Sequence, residues 1–318
     1  MSELSTAPRG PLTNRIAGRF RMLLELVRFS HTIFALPFAA LATVMAFRIP
    51  LITGEAPVLR LRDLLGVLLC MVFARTAAMA FNRLVDERFD AANPRTAGRH
   101  LPAGLLRRSE AIGLTVATSL GFLASTLLFL PNPLPLFLSL PVLGFLLGYS
   151  LAKRFTSAAH MWLGVALSLA PVSAWIAIRG ETVLANPGDL IAPIVLGTAV
   201  ALWVCGFDII YACQDAQFDR ANGLHSVPAR LGVRGALRVA AGLHAGTMLV
   251  LASLPTLAPE LTLGWLYYTA VLGIAGLLWY EHRLVSPDNL EQVGIAFFNV
   301  NAVISLVMFI AAGLDCWL

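Results

Sequence analysis

Long apolar runs alternate along this chain with short polar stretches rich in arginine. A helix needs about 20 apolar residues to span a bilayer. By that measure nine runs qualify: 26–47, 63–82, 109–130, 134–151, 158–178, 190–212, 236–256, 261–280 and 294–314. The pattern predicts an all-α polytopic membrane protein. Residues 1–21 are polar, carry Arg9, Arg15, Arg19 and Arg21, and stand apart as an N-terminal segment; residues 22–318 form one transmembrane domain. Pro37, Pro141 and Pro171 fall inside predicted spans and are expected to kink them. Gly144-xxx-Gly148 and Gly242-xxx-Gly246 are expected to let helices approach closely. Ala40-Leu-Ala42 has the small-residue look of a cleavage site, but the apolar run continues past it, so no cleavable signal peptide is expected.

Composition agrees. Hydrophobic residues make up 58% of the chain and charged ones 13%, against about 25% charged in a soluble domain. The net charge of +5 does not point to nucleic acid, because the basic residues are scattered at span ends with no aromatic-interleaved basic face. They report orientation instead. With the N-terminus taken as cytoplasmic, the inner loops hold Arg83, Arg88, Arg95, Arg99, Arg107, Arg108, Lys153, Arg154, Arg220, Arg230, Arg234 and Arg283. The outer side holds only Arg48, Arg60, Arg62 and Arg179. This predicts a multi-pass protein of a bacterial-type cytoplasmic membrane with its C-terminus outside. The four cysteines form no CxxC and no zinc spacing, and the six histidines form no HExxH pair. Cys70 and Cys205 sit in apolar runs and read as small core residues.

Two acidic stretches break the pattern. One runs from Asn82 through Asp86, Glu87 and Asp90 to Asn93-Pro-Arg95-Thr96 and Arg99; the other runs from Asp208 through Tyr211, Asp215 and Asp219 to Gly223 and Ser226. Each lies at or just past the end of an apolar run, where ionised groups are costly and usually functional. Residues four apart share one helix face. Asn82, Asp86 and Asp90 therefore align, as do Tyr211, Asp215 and Asp219, with Asp208 two turns before Asp215. Like charges at that spacing repel, so local helix stability does not account for them. A divalent cation does: Mg²⁺ takes oxygen ligands and is typically shared between one or two carboxylates and substrate phosphates. The competing readings are solvated helix ends for the four outer aspartates and a buried pair with arginine for Asp208. The two sets repeat at a fixed step (215 − 86 = 219 − 90 = 129), which fits two four-helix units plus a ninth helix.

These residues resemble a known family. Asn82-xxx-Asp86-xxx-Asp90 with Arg95-Thr96-xx-Arg99 looks like the first signature of the UbiA-type membrane prenyltransferases. Asp208-xx-Tyr211-Ala212-xx-Asp215-xxx-Asp219 looks like the second. Lys153-Arg154-x-Thr156 is similar to a loop of the 4-hydroxybenzoate branch. Arg83 departs from the pattern, since many members carry Asp after the Asn. The resemblance implies Mg²⁺-assisted transfer of a polyprenyl group from its diphosphate to the ring of an aromatic carboxylate, in ubiquinone or menaquinone biosynthesis. An acceptor of the dihydroxynaphthoate kind is the alternative within that chemistry.

On this reading Asp86, Asp90, Asp215 and Asp219 hold the metal, and Asp86 and Asp215 serve catalysis with it. Arg99, Lys153 and Arg154 are candidates to bind phosphate oxygens, and Asn82, Arg95 and Tyr211 complete the substrate-binding set. Asp208 is the candidate to contact or deprotonate the acceptor phenol. Arg28 and His31 are further candidates to hold the acceptor carboxylate, although a lone histidine in an apolar run more often has a structural role. Asn299 and Asn301 are expected to hydrogen-bond between helices. A secondary transporter is the rival from another class, but it gives no reason for aspartates at every fourth position near the cytoplasmic ends.

Overall fold

In the computed structural model the described residues are Met22, Leu23, Glu25, Leu26 and 34–318. The polar segment 1–21, Arg28 and His31 lie outside the described residues. Among the described residues nine helices match the predicted spans in order: α1 (Leu36–Arg48), α2 (Leu61–Ala92), α3 (Arg108–Phe129), α4 (Leu134–Ala152), α5 (Ala159–Ala185), α6 (Pro187–Ala221), α7 (Val227–Leu257), α8 (Trp265–Leu284) and α9 (Val293–Asp315). Seven of them, all but α1 and α8, are long and apolar enough to cross a membrane. Among the described residues no strand occurs beyond one isolated bridge between Ser286 and Asn289.

Helix α6 is the centre of the bundle. Its Leu196, Val204, Phe207, Ile209 and Ile210 are buried on several faces, as expected of a helix hydrophobic all round. Trp175 of α5 and Trp203 of α6 are almost fully enclosed and belong to one core with Phe38 and Met45 of α1 and Met308 of α9. Phe137, Leu140, Leu249, Leu272 and Trp279 are exposed and give the bundle an apolar outer surface.

Several expectations are corrected by the helix ends. Apolar length sets the span but not the helix. Thus α2 runs ten residues beyond the predicted end at 82, carrying Asp86 and Asp90 on continuous helix. The second acidic set is less regular, because a 3₁₀ turn at Cys213–Asp215 precedes the short helical piece Ala216–Ala221. Helix α7 begins at Val227, nine residues before the predicted 236, because Ser226 caps it by accepting from the Ala229 N–H (3.2 Å) and Pro228 occupies its first turn. Gly232 then takes φ +71° inside it, a left-handed conformation suited to glycine. Pro37 does not kink α1: it lies in the first turn, where its missing N–H has no partner to lose. Pro141 and Pro171 are inside α4 and α5, yet the non-helical backbone in α5 is at Arg179 (φ −117°, ψ 22°).

Each expected glycine pair has one member at a close approach, since a Cβ on Gly148 would lie 3.2 Å from Trp162 and one on Gly246 would lie 3.4 Å from Leu202, but the tightest contacts are elsewhere. A Cβ on Gly144 or Gly242 would meet nothing within 4 Å. A Cβ on Gly164 would lie 2.3 Å from the Ala201 carbonyl oxygen, and one on Gly206 would lie 2.3 Å from His244 Nε2. These two glycines let α5 and α7 seat directly on α6. Of the paired asparagines, Asn301 is buried and accepts from Trp203 Nε1 (2.7 Å) while donating to Glu281 (3.1 Å), whereas Asn299 is exposed.

Candidate active site

Both acidic stretches open on one cavity of about 390 Å³. Its polar wall carries Asn82, Asp86, Asp90, Arg95, Arg99, Lys153, Arg154, Asp208, Tyr211, Asp215 and Asp219. The cavity continues between α2, α3, α4 and α5 over an apolar lining that includes Met71, Met79, Phe122, Leu146, Leu163 and Leu167.

The loop after α2 ties the two stretches together. Asn93 Nδ2 donates to Asp215 Oδ1 at 3.0 Å, and Arg95 Nε donates to the same oxygen at 2.9 Å. Arg95 Nη2 makes a very short contact with Asp215 Oδ2, completing a two-pronged pair. Its Nη1 donates to Tyr211 Oη at 2.9 Å. Burial pushes the Arg95 guanidinium down, but these bonds to Asp215 and Tyr211 outweigh that and hold it above its ordinary value. The first stretch has its own pairing. Arg99 Nη1 donates to both oxygens of Asp90 (2.6 and 2.8 Å), and Thr96 Oγ1 donates to the Asp90 backbone carbonyl (3.0 Å). Asn82 Nδ2 donates to Asp86 Oδ2 at 2.8 Å, and Arg154 Nη2 lies 3.5 Å from Asp86 Oδ1. Lys153 and Arg154 sit in the turn between α4 and α5, and the Lys153 carbonyl accepts from the His225 N–H at 2.7 Å. Arg83, the departure from the family pattern, is buried and donates to the Leu26 carbonyl (3.4 Å) and to Asn82 Oδ1 (3.3 Å).

Asp208 pairs with a histidine, not with an arginine: His160 Nδ1 is 2.6 Å from its Oδ2. An aromatic cluster stands beside it. Phe297 stacks on Tyr211 (centroids 4.3 Å apart) and meets Phe34 and Phe207 edge-on (5.5 and 5.3 Å). Phe297 is presented by a π-helical turn, Ala296–Val300, whose displaced carbonyls at Ala296 and Phe297 accept from Asn301 Nδ2 (3.0 and 3.1 Å).

Sequence reasoning gave Asn93 no role of its own and overlooked Arg75, Tyr149 and His160. Arg75 lines the cavity and its Nε is buried with no hydrogen-bond partner. A signal for it existed: an arginine inside an apolar run, two helical turns before Asn82. Tyr149 and His160 carry no such mark.

The donor set fits a magnesium ion shared with phosphate. Asp219 Oδ2 is buried without a hydrogen-bond partner and is a hard oxygen of the kind Mg²⁺ takes. Among the described residues, no three acidic, histidine or cysteine side chains converge closely enough to hold a metal by themselves. Such an ion would complete its shell with waters and ligand oxygens.

Fold and site together define a polytopic membrane protein with an acidic and basic cavity mouth leading into an apolar interior. The chain belongs to the UbiA prenyltransferase family, whose model matches residues 29–310. It is an enzyme similar to 4-hydroxybenzoate octaprenyltransferases. That of Aeromonas salmonicida is 32% identical over 233 residues, 73% of this chain and 76% of the relative. That of Neisseria meningitidis is 28% identical over 304 residues, 96% of each. Among solved structures, the apo UbiA homolog from Aeropyrum pernix K1 matches with a TM-score of 0.76 and 31% identity, over 89% of this chain and 96% of that one. A UbiA homolog from Archaeoglobus fulgidus, solved bound to GPP and Mg²⁺, shares the fold with a TM-score of 0.69 and 21% identity, over 93% of this chain and 99% of that one.

Proposed function

We propose that this protein transfers a polyprenyl group from polyprenyl diphosphate to the ring of an aromatic carboxylate of the 4-hydroxybenzoate kind, in quinone biosynthesis. The transfer occurs in a single transmembrane domain, 22–318, of a bacterial-type inner membrane, with the cavity mouth on the cytoplasmic side. The observation that carries this reading is the tie from Asn93 and Arg95 to Asp215, which holds both acidic sets around one cavity. A diphosphate lodged there meets carboxylates from two helices and cations from two loops, while its isoprenoid chain lies along the apolar lining.

Asp86, Asp90, Asp215 and Asp219 would hold magnesium, with Asn82 orienting Asp86 (2.8 Å). Bound magnesium supplies Lewis-acid stabilisation of the charge that develops on the leaving diphosphate. Arg99, Lys153 and Arg154 bind its oxygens directly, the arginines through planar two-pronged contacts. To do so Arg99 must loosen its hold on Asp90, which frees that carboxylate for the ion. Breaking the allylic C–O bond leaves a carbocation, and the apolar walls keep water from it. Aromatic side chains of the cavity wall, Tyr211 and Phe297 among them, stabilise it. Arg75, with its unpartnered Nε on the cavity wall, offers the cation for the acceptor carboxylate. Asp208 meets the acceptor hydroxyl.

The test is purified protein with labelled geranyl diphosphate and 4-hydroxybenzoate, with and without Mg²⁺. Ring-prenylated product that disappears with a chelator is expected; no product from any aromatic carboxylate, a dihydroxynaphthoate included, would defeat the reading. Arg154→Ala is expected to raise KM for the prenyl diphosphate about tenfold, the scale of one lost charge-assisted contact. A change confined to acceptor KM would remove the Lys153–Arg154 turn from the diphosphate site.

A further inference from the structure

The pairing of Asp208 differs in kind from that of the other acids at the cavity. Its partner His160 is the second residue of α5 and is 1% exposed. The ring is held at both nitrogens. Nδ1 is 2.6 Å from Asp208 Oδ2, and Nε2 accepts from the Val227 backbone N–H at 3.3 Å. A backbone N–H can only donate, so Nε2 carries no proton. A neutral imidazole has one N–H, which therefore sits on Nδ1 and is donated to Asp208. Asp208 Oδ2 is the acceptor of that bond.

Local packing makes this geometry. Helices α5 and α6 are antiparallel neighbours and touch at Gly164, where a Cβ would lie 2.3 Å from the Ala201 carbonyl oxygen. Farther along, a Cβ on Gly197 would lie 3.1 Å from the Ser168 carbonyl oxygen. That close register brings position 160 level with position 208. The ring does not line the cavity, whereas Asp208 does. His160 can thus act on a cavity ligand only through Asp208.

We infer that His160 is a positioning residue for prenyl transfer: it fixes the tautomer and the hydrogen bond that keep Asp208 ionised, with its second oxygen left for the hydroxyl of the aromatic acceptor. This rests on the transfer reaction proposed above. The acceptor O–H bond breaks, its proton passes to Asp208 Oδ1, and the electron pair stays on the phenolate oxygen. Electron density rises at the ring carbon that forms the new bond. That carbon then gives up its proton to the departing diphosphate, the oxygen takes its own proton back from Asp208, and the carboxylate is restored. His160 keeps its proton throughout.

Two substitutions separate this role from packing. Asn places an N–H where Nδ1 stands, while Leu fills similar space with no donor. His160→Leu is expected to lower kcat/KM for 4-hydroxybenzoate by about 10²-fold, the scale of a lost general base, with KM for geranyl diphosphate unchanged. His160→Asn should recover most of that loss. A ring-fluorinated 4-hydroxybenzoate, whose hydroxyl ionises more readily, should narrow the gap between His160→Leu and wild type. Equal losses with both acceptors, or no recovery with Asn, would overturn the inference. Should His160→Leu not fold, the ¹⁵N shifts of the wild-type histidines decide, with His160→Asn giving the assignment. A neutral ring protonated at Nδ1 is expected; a ring protonated at Nε2 or at both nitrogens would overturn it. Absence of any prenylated product from wild type is a different result and refutes the transfer reading itself.

Discussion

Asp215→Ala is expected to reduce prenyl transfer by at least about 10²–10³-fold, the scale of losing one preorganised group that stabilises transition-state charge. The protein should remain folded and in the membrane. Two losses coincide in this variant. The diphosphate site gives up the magnesium ligand proposed on α6, and Asn93 and Arg95 lose their shared partner, so of these ties to α6 the loop after α2 keeps only the bond from Arg95 to Tyr211. Asp86→Ala removes the matching proposed ligand from α2 without touching the Arg95 tie and should be about as damaging. The comparison is informative for that reason. If joining the loops were all that mattered, Asp86→Ala would be mild and Asp215→Ala severe. If metal-held diphosphate is the core of the reaction, both fail together. Fold loss is not expected in either case, because the released Arg95, about 30% exposed in its side chain, can be solvated in the cavity mouth. Single-turnover rates with saturating Mg²⁺, beside size-exclusion profiles in detergent, make the measurement. Near-normal turnover in either variant would remove that residue from the metal site.

What could be read from the sequence follows from range. The spacing of Asn82, Asp86 and Asp90 is a local property of one helix, and the structure keeps it because α2 continues to Ala92. The repeat of that pattern around Asp215 pointed to a shared site, and Asn93 and Arg95 do join the two. The seven helices long and apolar enough to cross a membrane were legible because lipid demands a fixed apolar length. Pairings between distant residues were not legible. Nothing near Asp208 announces His160, because the two meet only through the crossing at Gly164. Likewise, of the GxxxG pair at 144 and 148 only Gly148 meets a neighbouring helix, at Trp162, whereas the tighter approach is at the isolated Gly164. Phe297 depends on a π turn stabilised by Asn301, and no periodicity rule anticipates a turn widened by one residue. The sequence placed Arg179 among the outer-side basic residues, as an orientation signal; it is in fact buried inside α5.

Arg179→Ala should be the most damaging change to the fold. The guanidinium is 1% exposed and every one of its N–H groups is used. Nε donates to Asp189 Oδ2 (2.9 Å) and Nη2 to Asp189 Oδ1 (2.7 Å) and the Pro50 carbonyl (3.0 Å). Nη1 donates to the carbonyls of Ala46 and Ile49, which the end of α1 leaves open. Trp175 Nε1 shares the carboxylate at 2.8 Å. One side chain thus closes α1, bends α5 and anchors the 3₁₀ turn that opens α6. Truncation strands Asp189 and three carbonyls. Removing one partner of a buried ion pair costs about 3–5 kcal/mol, so a large drop in the melting temperature of detergent-purified protein is expected. Arg179→Lys retains the charge but not the planar fork, and should fall between alanine and wild type. Because the cluster is at the opposite end of the bundle from the acidic cavity mouth, whatever Arg179→Lys protein folds should show wild-type KM for both substrates. A folded Arg179→Lys enzyme with altered KM would instead mean that the α1–α5–α6 junction helps shape the cavity.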